Sequence, residues 1–122
     1  MADYRLSLSA ENQIYEILEW SERQFGEVTR DRYAALLVTA MEDVANSPHR
    51  KSVRWKRVIS GKVGVYHLRH SRENVSYLRG AIGEPRHYLI FRIGGDGIVD
   101  ILGFVHDSML FDRAFRRVLS SG

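Results

Sequence analysis

Residues 87–93 and 98–106, HYLIFRI and IVDILGFVH, are two nearly continuous apolar runs separated by the glycine-rich link 94–97. Both runs are rich in β-branched and aromatic residues and leave little room for a polar solvent face, which is typical of central strands. The link, Gly-Gly-Asp-Gly, offers the positive-φ positions that a tight hairpin needs. These features predict an antiparallel hairpin at the centre of a sheet that helices cover on one side.

Two helices are predicted ahead of this hairpin. A short strand at residues 4–8, YRLSL, alternates apolar and polar side chains, and Ser9 stands in the N-cap position of a first helix at 10–25. Apolar residues recur there at three- and four-residue steps, and again in 28–46, after which Pro48 prevents continuation. Because the link between the helices is short, they are expected to form an antiparallel helical hairpin.

The remaining segments complete an α+β fold. Residues 49–62 are expected to be a basic, irregular connection, 63–70 a strand, 71–84 a long connection and 112–119 a short amphipathic helix. This order predicts a single domain over residues 1–122. It has an N-terminal strand, an antiparallel helical hairpin packed on a mainly antiparallel sheet, and a short C-terminal helix.

Composition excludes several classes of protein. Hydrophobic residues make up 44% and charged residues 27% of the 122-residue chain, so it is expected to fold rather than remain disordered. The absence of cysteine excludes disulfides and thiolate metal sites. His67 and His70 lie three apart in a predicted strand and point to opposite faces, so neither a metal site nor a cofactor is expected. Without a signal sequence or a stretch of the roughly 20 apolar residues that span a bilayer, a cytoplasmic protein with no membrane partner is expected.

Positive charge is concentrated in the middle of the chain. Residues 49–92 contain 11 Lys or Arg and 2 Asp or Glu, against 4 and 9 in residues 1–48 and 3 and 4 in residues 93–122. Such a cationic block attracts nucleic acid or an acidic protein through long-range electrostatics. It is equally consistent with a solvated strand face and loop.

Five runs of sequence together resemble one family. They are LSLSAENQIYEILEWSERQFG, ANSPHRK, GVYHLRHSR, PRHYLIFRIGGDGIVDILGFVHDSM and DRAFRRVL. In this order they resemble the ParE branch of the RelE/ParE superfamily of type II toxins, over nearly the whole chain. The resemblance implies a small bacterial toxin that inhibits DNA gyrase by binding it. It also implies a cognate, ParD-like antitoxin that neutralises the toxin in a hetero-oligomer.

The resemblance further implies where the target binds. Because the family's toxic region is the last strand and the C-terminal tail, target binding is assigned to His106, Met109, Leu110, Arg113 and Arg116. Leu110 departs from the family pattern, in which an acidic residue often follows the methionine. On this hypothesis the chain is not an enzyme and has no catalytic residue.

Antitoxin binding is assigned to the helical hairpin and to the cationic block. Toxins of this family leave the hairpin and a sheet edge open to an extended antitoxin tail, whose acidic residues meet basic ones on the toxin. The expected contacts are Trp20, Arg69, Arg72, Arg86 and Arg92. Trp20 lies off the main apolar stripe of the first helix, so it either borders that stripe or faces the partner.

Two alternatives stay open. The RelE branch uses the same fold to cleave messenger RNA on the ribosome, which requires a base, cationic groups for the phosphate and an acid. Residues of these types occur at Arg86, His87, Arg92 and His106. Tyr88, however, stands near the place where the RelE branch typically carries an arginine. Direct nucleic-acid binding is expected only of such a nuclease. The second alternative is an inactive relative that serves as a binding module.

Overall fold

A computed structural model describes residues 2–75, 82–108 and 111–121. The strands are β1 (Tyr4–Leu6), β2 (Arg54–Val58), β3 (Gly61–His67), β4 (His87–Ile93) and β5 (Val99–His106). The helices are α1 (Leu8–Phe25), α2 (Glu27–Asn46), a 3-10 helix (Leu68–Asn74) and α3 (Phe111–Ser121). The α+β architecture predicted from the sequence is confirmed. Within these described residues, no helix combines the length and the apolar character needed to cross a membrane.

One five-stranded sheet, in the order β1-β5-β4-β3-β2, separates two layers of helix. β1 pairs with β5 in parallel, and all other neighbours are antiparallel. On one face, Leu37 of α2 belongs to the same buried cluster as Phe91 of β4. On the other face, Phe115 and Val118 of α3 are buried together with Ile90. Helices therefore cover both faces of the sheet, and the prediction that they cover only one face was wrong. Cover on both faces explains why β4 is a nearly continuous apolar run.

The first helix begins earlier than the sequence predicts. Ser7, not Ser9, is its N-cap, because the Ser7 side chain accepts a hydrogen bond of 3.0 Å from the backbone N–H of Ala10. The Ser7 hydroxyl also donates to the carbonyl of Leu102, and its backbone N–H donates to the carbonyl of Ile101, both at 3.0 Å. These contacts with β5 fix Ser7, and not Ser9, as the N-cap of α1, and β1 therefore ends at Leu6.

The prediction of an irregular connection over residues 49–62 was wrong. The cationic segment Arg54–Val58 forms the edge strand β2 and pairs antiparallel with β3. The predicted strand at 63–70 is also shifted, since β3 ends at His67 and a 3-10 helix follows. That helix is fixed to α2 by the Ser71 hydroxyl, which donates to the Asp43 carboxylate at 2.6 Å.

Close packing of an aromatic ring requires a glycine on β3. Gly64 lies directly opposite Phe91 on β4, and a Cβ atom at position 64 would lie only 2.4 Å from Cζ of that ring. Trp55 meets the same ring edge-on, with centroids 5.5 Å apart. The missing side chain thus lets two large aromatics pack beneath the helical hairpin.

An ion-pair network fastens β1 to the turn between β4 and β5. The Arg5 guanidinium contacts Asp100 at 2.6 Å and Asp96 at 2.7 Å. Hydrogen bonds from Arg5 and from the backbone N–H of Ile98 hold the pKa of Asp96 at about 2. Arg92 approaches Asp100 from the other side, at 3.7 Å. Gly97, with φ of 86°, closes the turn in the left-handed region, as the glycine-rich link predicts.

Candidate functional site

The ends of β3, β4 and β5 bring titratable side chains together at one edge of the molecule. His87 and His106 are cross-strand partners whose ring centroids are 5.0 Å apart. Asp107 follows His106, and its backbone N–H donates to the carbonyl of Arg86 at 2.8 Å. His67 ends β3 beside them. We call His67, Arg86, His87, His106 and Asp107 the polar end of the sheet.

Tyr33 of α2 contacts His87, which its burial keeps in the neutral form. The Tyr33 hydroxyl accepts a hydrogen bond from the backbone N–H of Arg86 at 3.0 Å, and it lies 2.6 Å from Nδ1 of His87. Burial raises the pKa of Tyr33 to about 12 and lowers the pKa of His87 to about 4. His87 is therefore neutral at pH 7, and in the tautomer that carries its proton on Nε2 the Tyr33 hydroxyl donates a hydrogen bond to Nδ1.

Asp107 joins two basic side chains at the same end of the sheet. Its carboxylate contacts Nε2 of His67 and Nε of Arg86, each at 3.0 Å. Burial would raise the pKa of Asp107, but the hydrogen bond from His67 and the charge of Arg86 lower it below its usual value. Burial also lowers the pKa of His67, whose Nδ1 accepts from the backbone N–H of Arg69. His67 is therefore a neutral structural group, with both ring nitrogens bonded.

A cleft of about 520 Å³ opens between the helical hairpin and the polar end of the sheet. Trp20 and Phe25 of α1 are exposed at 47% and 64%, and both line the cleft. The sheet contributes Arg86, His87 and His106 to its wall. The cleft thus joins exposed aromatic side chains on one wall to polar and charged groups on the other, with Glu84 as well as Arg86 among them. Such an arrangement suits an amphipathic partner segment.

The residues predicted for antitoxin binding fall in three places. Trp20 and Arg86 share the cleft. Arg69 and Arg72 lie on the 3-10 helix, and Arg72 donates to the carbonyl of Gly83 at the rim of the cleft, at 2.6 Å. Arg92 is separate, because it stands five residues along β4 from His87, a distance of about 16 Å.

The same separation divides the four residues of the nuclease hypothesis. The structure brings Arg86, His87 and His106 together around one cleft, and it places Arg92 towards the opposite end of the sheet. Arg92 pairs there with Asp100. Of the two arginines in this set, Arg86 is therefore the one that lies close enough to act in a reaction at the polar end.

The residues predicted for target binding lie along the end of β5 and on α3. Arg113 and Arg116 are exposed on α3, and His106 ends β5. Nδ1 of His106 accepts from the backbone N–H of Ser108 at 3.1 Å. Met109 and Leu110 lie outside the described residues.

Tyr33 and Asp107 are the functional neighbours that the sequence analysis missed. Tyr33 sits within the apolar stripe of α2, so its periodicity indicates only burial. Asp107 follows the last strand and looks like an ordinary turn residue. Asp107 and His67 are 40 residues apart in the sequence and meet only because their strands belong to the same sheet. No local sequence pattern encodes that contact. In the part of the chain that the structure describes, no three His, Asp or Glu residues are grouped as metal ligands.

The strand order, the helical hairpin and the polar end of the sheet agree with the fold that the resemblance to the RelE/ParE superfamily implies. A family model described as "ParE toxin of type II toxin-antitoxin system, parDE" matches residues 4–111, and the chain belongs to that family. The protein is therefore a toxin of a type II toxin–antitoxin system, and its family implies a cognate antitoxin as partner. A comparison with curated proteins gave no match.

Proposed function

We propose that this toxin inhibits DNA gyrase by binding it through α3 and the adjoining end of β5. The observation that carries the proposal is the two-sided character of α3. Phe115 and Val118 are buried against the sheet, whereas Arg113, Arg116 and Arg117 are exposed. A helix anchored in this way presents its cations in a fixed arrangement, which suits an acidic protein target or a protein bound to DNA.

The chemistry of the polar end favours binding over catalysis. His87, with a pKa of about 4, is uncharged at neutral pH and is a poor proton donor. The Arg86 guanidinium is engaged with Asp107, so its charge is partly compensated. These groups support a role in gripping a partner by hydrogen bonds and charge, without bond cleavage.

We further propose that the cognate antitoxin neutralises the toxin by binding in the cleft of about 520 Å³. Trp20 and Phe25 offer exposed aromatic surface on α1, and Arg86 lies on the opposite wall. An amphipathic antitoxin segment with acidic residues would bury the aromatics and meet the arginine. Because the cleft and α3 both adjoin His106, an antitoxin there would obstruct the gyrase-binding surface.

The direct test is supercoiling of relaxed plasmid by purified gyrase, with lost supercoiling and trapped cleaved DNA read on one gel. The wild-type toxin is expected to inhibit supercoiling, and added antitoxin is expected to restore it. Arg113→Glu and Arg116→Glu should each weaken inhibition. Arg23→Glu reverses one charge at an exposed site on α1 and is the matched control. Gyrase that stays fully active with the wild-type toxin would refute the proposal.

Substitution is a sharper test than deletion of the C-terminal tail. The sequence also suggests the removal of residues 110–122, with lost toxicity and largely retained antitoxin binding as the expected result. Phe115 and Val118, however, cover Val63, Val65 and Ile90 on the sheet. Deletion would expose this cluster and destabilise the whole fold, so lost toxicity would have two explanations.

Ribonuclease activity is a second candidate, favoured by the meeting of Arg86, His87 and His106 around one cleft. The test is cleavage of a defined messenger RNA in a reconstituted translation reaction that lacks gyrase. Cleavage by the wild type that is lost in His106→Gln would establish the nuclease. An intact message at a toxin concentration that inhibits gyrase in the separate supercoiling assay would remove it.

A further inference from the structure

An apolar side chain stands at the tip of the β2–β3 hairpin. Ile59 and Ser60 connect Val58 to its partner Gly61, and Ile59 is fully exposed, with a relative exposure of 109%. Gly61 has φ of 134°, which permits the tight turn. Turns of this kind favour glycine, proline, asparagine, aspartate and serine, so neither turn geometry nor core packing explains an isoleucine here.

Two cations flank this tip in an arrangement that costs stability. Arg57 and Lys62 are directly opposite each other in the β2–β3 ladder, on either side of the turn. Like charges at directly opposite positions destabilise a strand pair. Edge strands do carry cations that prevent aggregation, but β2 already has Arg54 and Lys56 for that purpose. The opposed pair thus lowers the stability of the hairpin, and protection of the edge strand does not require it.

The neighbouring surface is cationic as well. A cavity of about 650 Å³ beside the hairpin is lined by Arg57, Lys62, Arg92 and Arg116, together with the tip residue Ile59. Among the described residues that line it there is no carboxylate. Arg92 also pairs with Asp100, outside the cavity lining, so the uncompensated charge in the cavity comes from Arg57, Lys62 and Arg116. Such a cluster attracts a polyanion, and arginine guanidinium groups match phosphate oxygens in geometry.

We propose that the tip of the β2–β3 hairpin binds duplex DNA, with Ile59 in the minor groove and Arg57 and Lys62 on the phosphates that border it. The minor groove is about 6 Å wide, so one side chain at the tip can enter it while the two flanking cations reach the phosphate rows on either side. Apolar wedges such as isoleucine enter the minor groove in DNA-bending proteins. An acidic protein surface has no comparable pair of charged rows on both sides of a narrow groove. This contact goes beyond the proposed function, which needs only a protein surface on gyrase.

The test is fluorescence anisotropy of a labelled duplex about two helical turns long, titrated with toxin at several salt concentrations. Wild type is expected to bind, with log affinity falling linearly against log salt. Arg57→Gln should reduce the salt slope by about 1, and Arg57→Gln/Lys62→Gln by about 2, with at least a roughly tenfold loss of affinity for the double variant. Ile59→Ser should lower affinity several-fold and leave the slope unchanged, because it removes an apolar contact only.

The matched control is Arg23→Gln/Lys51→Gln, which removes two exposed charges outside the hairpin and its cavity and should leave binding unchanged. Thermal unfolding verifies that each variant is folded, and Arg57→Gln alone keeps the contact of Lys62 with the Trp55 ring. Equal losses in the two double variants, or no binding by wild type, would overturn the inference.

Polyglutamate that competes as well as unlabelled duplex at equal charge would overturn it too, in favour of an acidic protein partner. Parallel supercoiling assays keep this inference apart from the proposed function. Gyrase inhibition without DNA binding would remove only the hairpin contact. DNA binding without gyrase inhibition would remove only the gyrase target.

Discussion

The hydroxyl of Tyr33 on α2 lies 2.6 Å from Nδ1 of His87 on β4, and this contact joins the helical layer to the polar end of the sheet. The same hydroxyl accepts the backbone N–H of Arg86. One oxygen atom thus satisfies two polar groups at the start of β4, the backbone N–H of Arg86 and Nδ1 of His87. The helical hairpin partly covers both groups. Removing that oxygen atom would leave both without their partner in a region of low water access.

We therefore expect Tyr33→Phe to lower the free energy of unfolding by about 1–3 kcal/mol, the usual cost of leaving buried polar groups unsatisfied. Urea denaturation at pH 7 measures the change. Tyr15→Phe is the matched control, because Tyr15 is 66% exposed and should lose almost nothing. Similar stability of the two variants would show that the contact is dispensable.

Burial of His87 predicts a pH dependence of stability. Its pKa is about 4 in the folded protein and about 6.5 in an unfolded chain, so between these values the unfolded state binds more protons. The contribution of neutral His87 is complete above pH 6.5 and is lost as the pH falls towards 4, to a total on the order of 3 kcal/mol. Chemical denaturation at pH 7 and pH 5 should show a smaller decrease for His87→Gln than for wild type. Identical decreases would contradict the assignment.

Substitution of Gly64 should be costly because of the Phe91 ring. Gly64→Ala places a Cβ atom 2.4 Å from Cζ of Phe91, and overpacking of this kind costs about 1–3 kcal/mol. Thermal unfolding measures the loss, and Phe91→Leu in the same chain should recover part of it. Gly95→Ala has open space around its Cβ and is the control. A Gly64→Ala variant as stable as Gly95→Ala would mean that the ring moves without penalty.

The ion pairs of Arg5 predict how the pKa of the Asp96 carboxyl should change when Arg5 is replaced. Arg5→Gln removes the main cause of the low pKa of Asp96, so this pKa should rise from about 2 towards its ordinary value of about 3.9. A carboxyl carbon titration by NMR reports the change directly. Asp96 titrating identically in wild type and variant would show that the backbone N–H of Ile98 alone stabilises the charge.

Charge on the 3-10 helix is expected to contribute to antitoxin affinity. Arg69→Glu/Arg72→Glu should weaken the complex, and added salt should weaken the wild-type complex as well, because both treatments reduce attraction to an acidic partner. Calorimetric titration of toxin with antitoxin gives the affinities. The control Arg57→Glu/Lys62→Glu changes charge by the same amount far from the cleft. Affinity that neither treatment alters would exclude this surface.

The sequence was most informative where local chemistry is decisive. The apolar runs of β4 and β5 and the glycines between them predicted the central hairpin, and the apolar periodicity predicted both long helices to within about a turn. The edge strand β2 could not be predicted in the same way. Its five residues, RWKRV, include three cations, and only pairing with β3 makes them a strand.

The candidate site was predictable in composition and not in arrangement. Basic residues near the ends of β4 and β5 were recognised, since they stand out in the sequence. Their partners were not, because Tyr33 is 54 residues from His87 and Asp107 is 40 residues from His67. Whether a histidine is charged depends on such distant neighbours and on burial, which the sequence alone does not specify.

The parallel pairing of Tyr4 with Val99 has a consequence for the synthesis of this toxin. β1 can join the sheet only after β5, whose pairing residue lies 95 positions further along the chain, has also left the ribosome. Contacts of such long range form late in folding. Nascent chains that stop before β5 lack the neighbour of β1, and we expect protease digestion of stalled ribosomes to find them unfolded. Toxicity would then begin only after β5 has emerged, and a message interrupted before β5 would yield a harmless fragment.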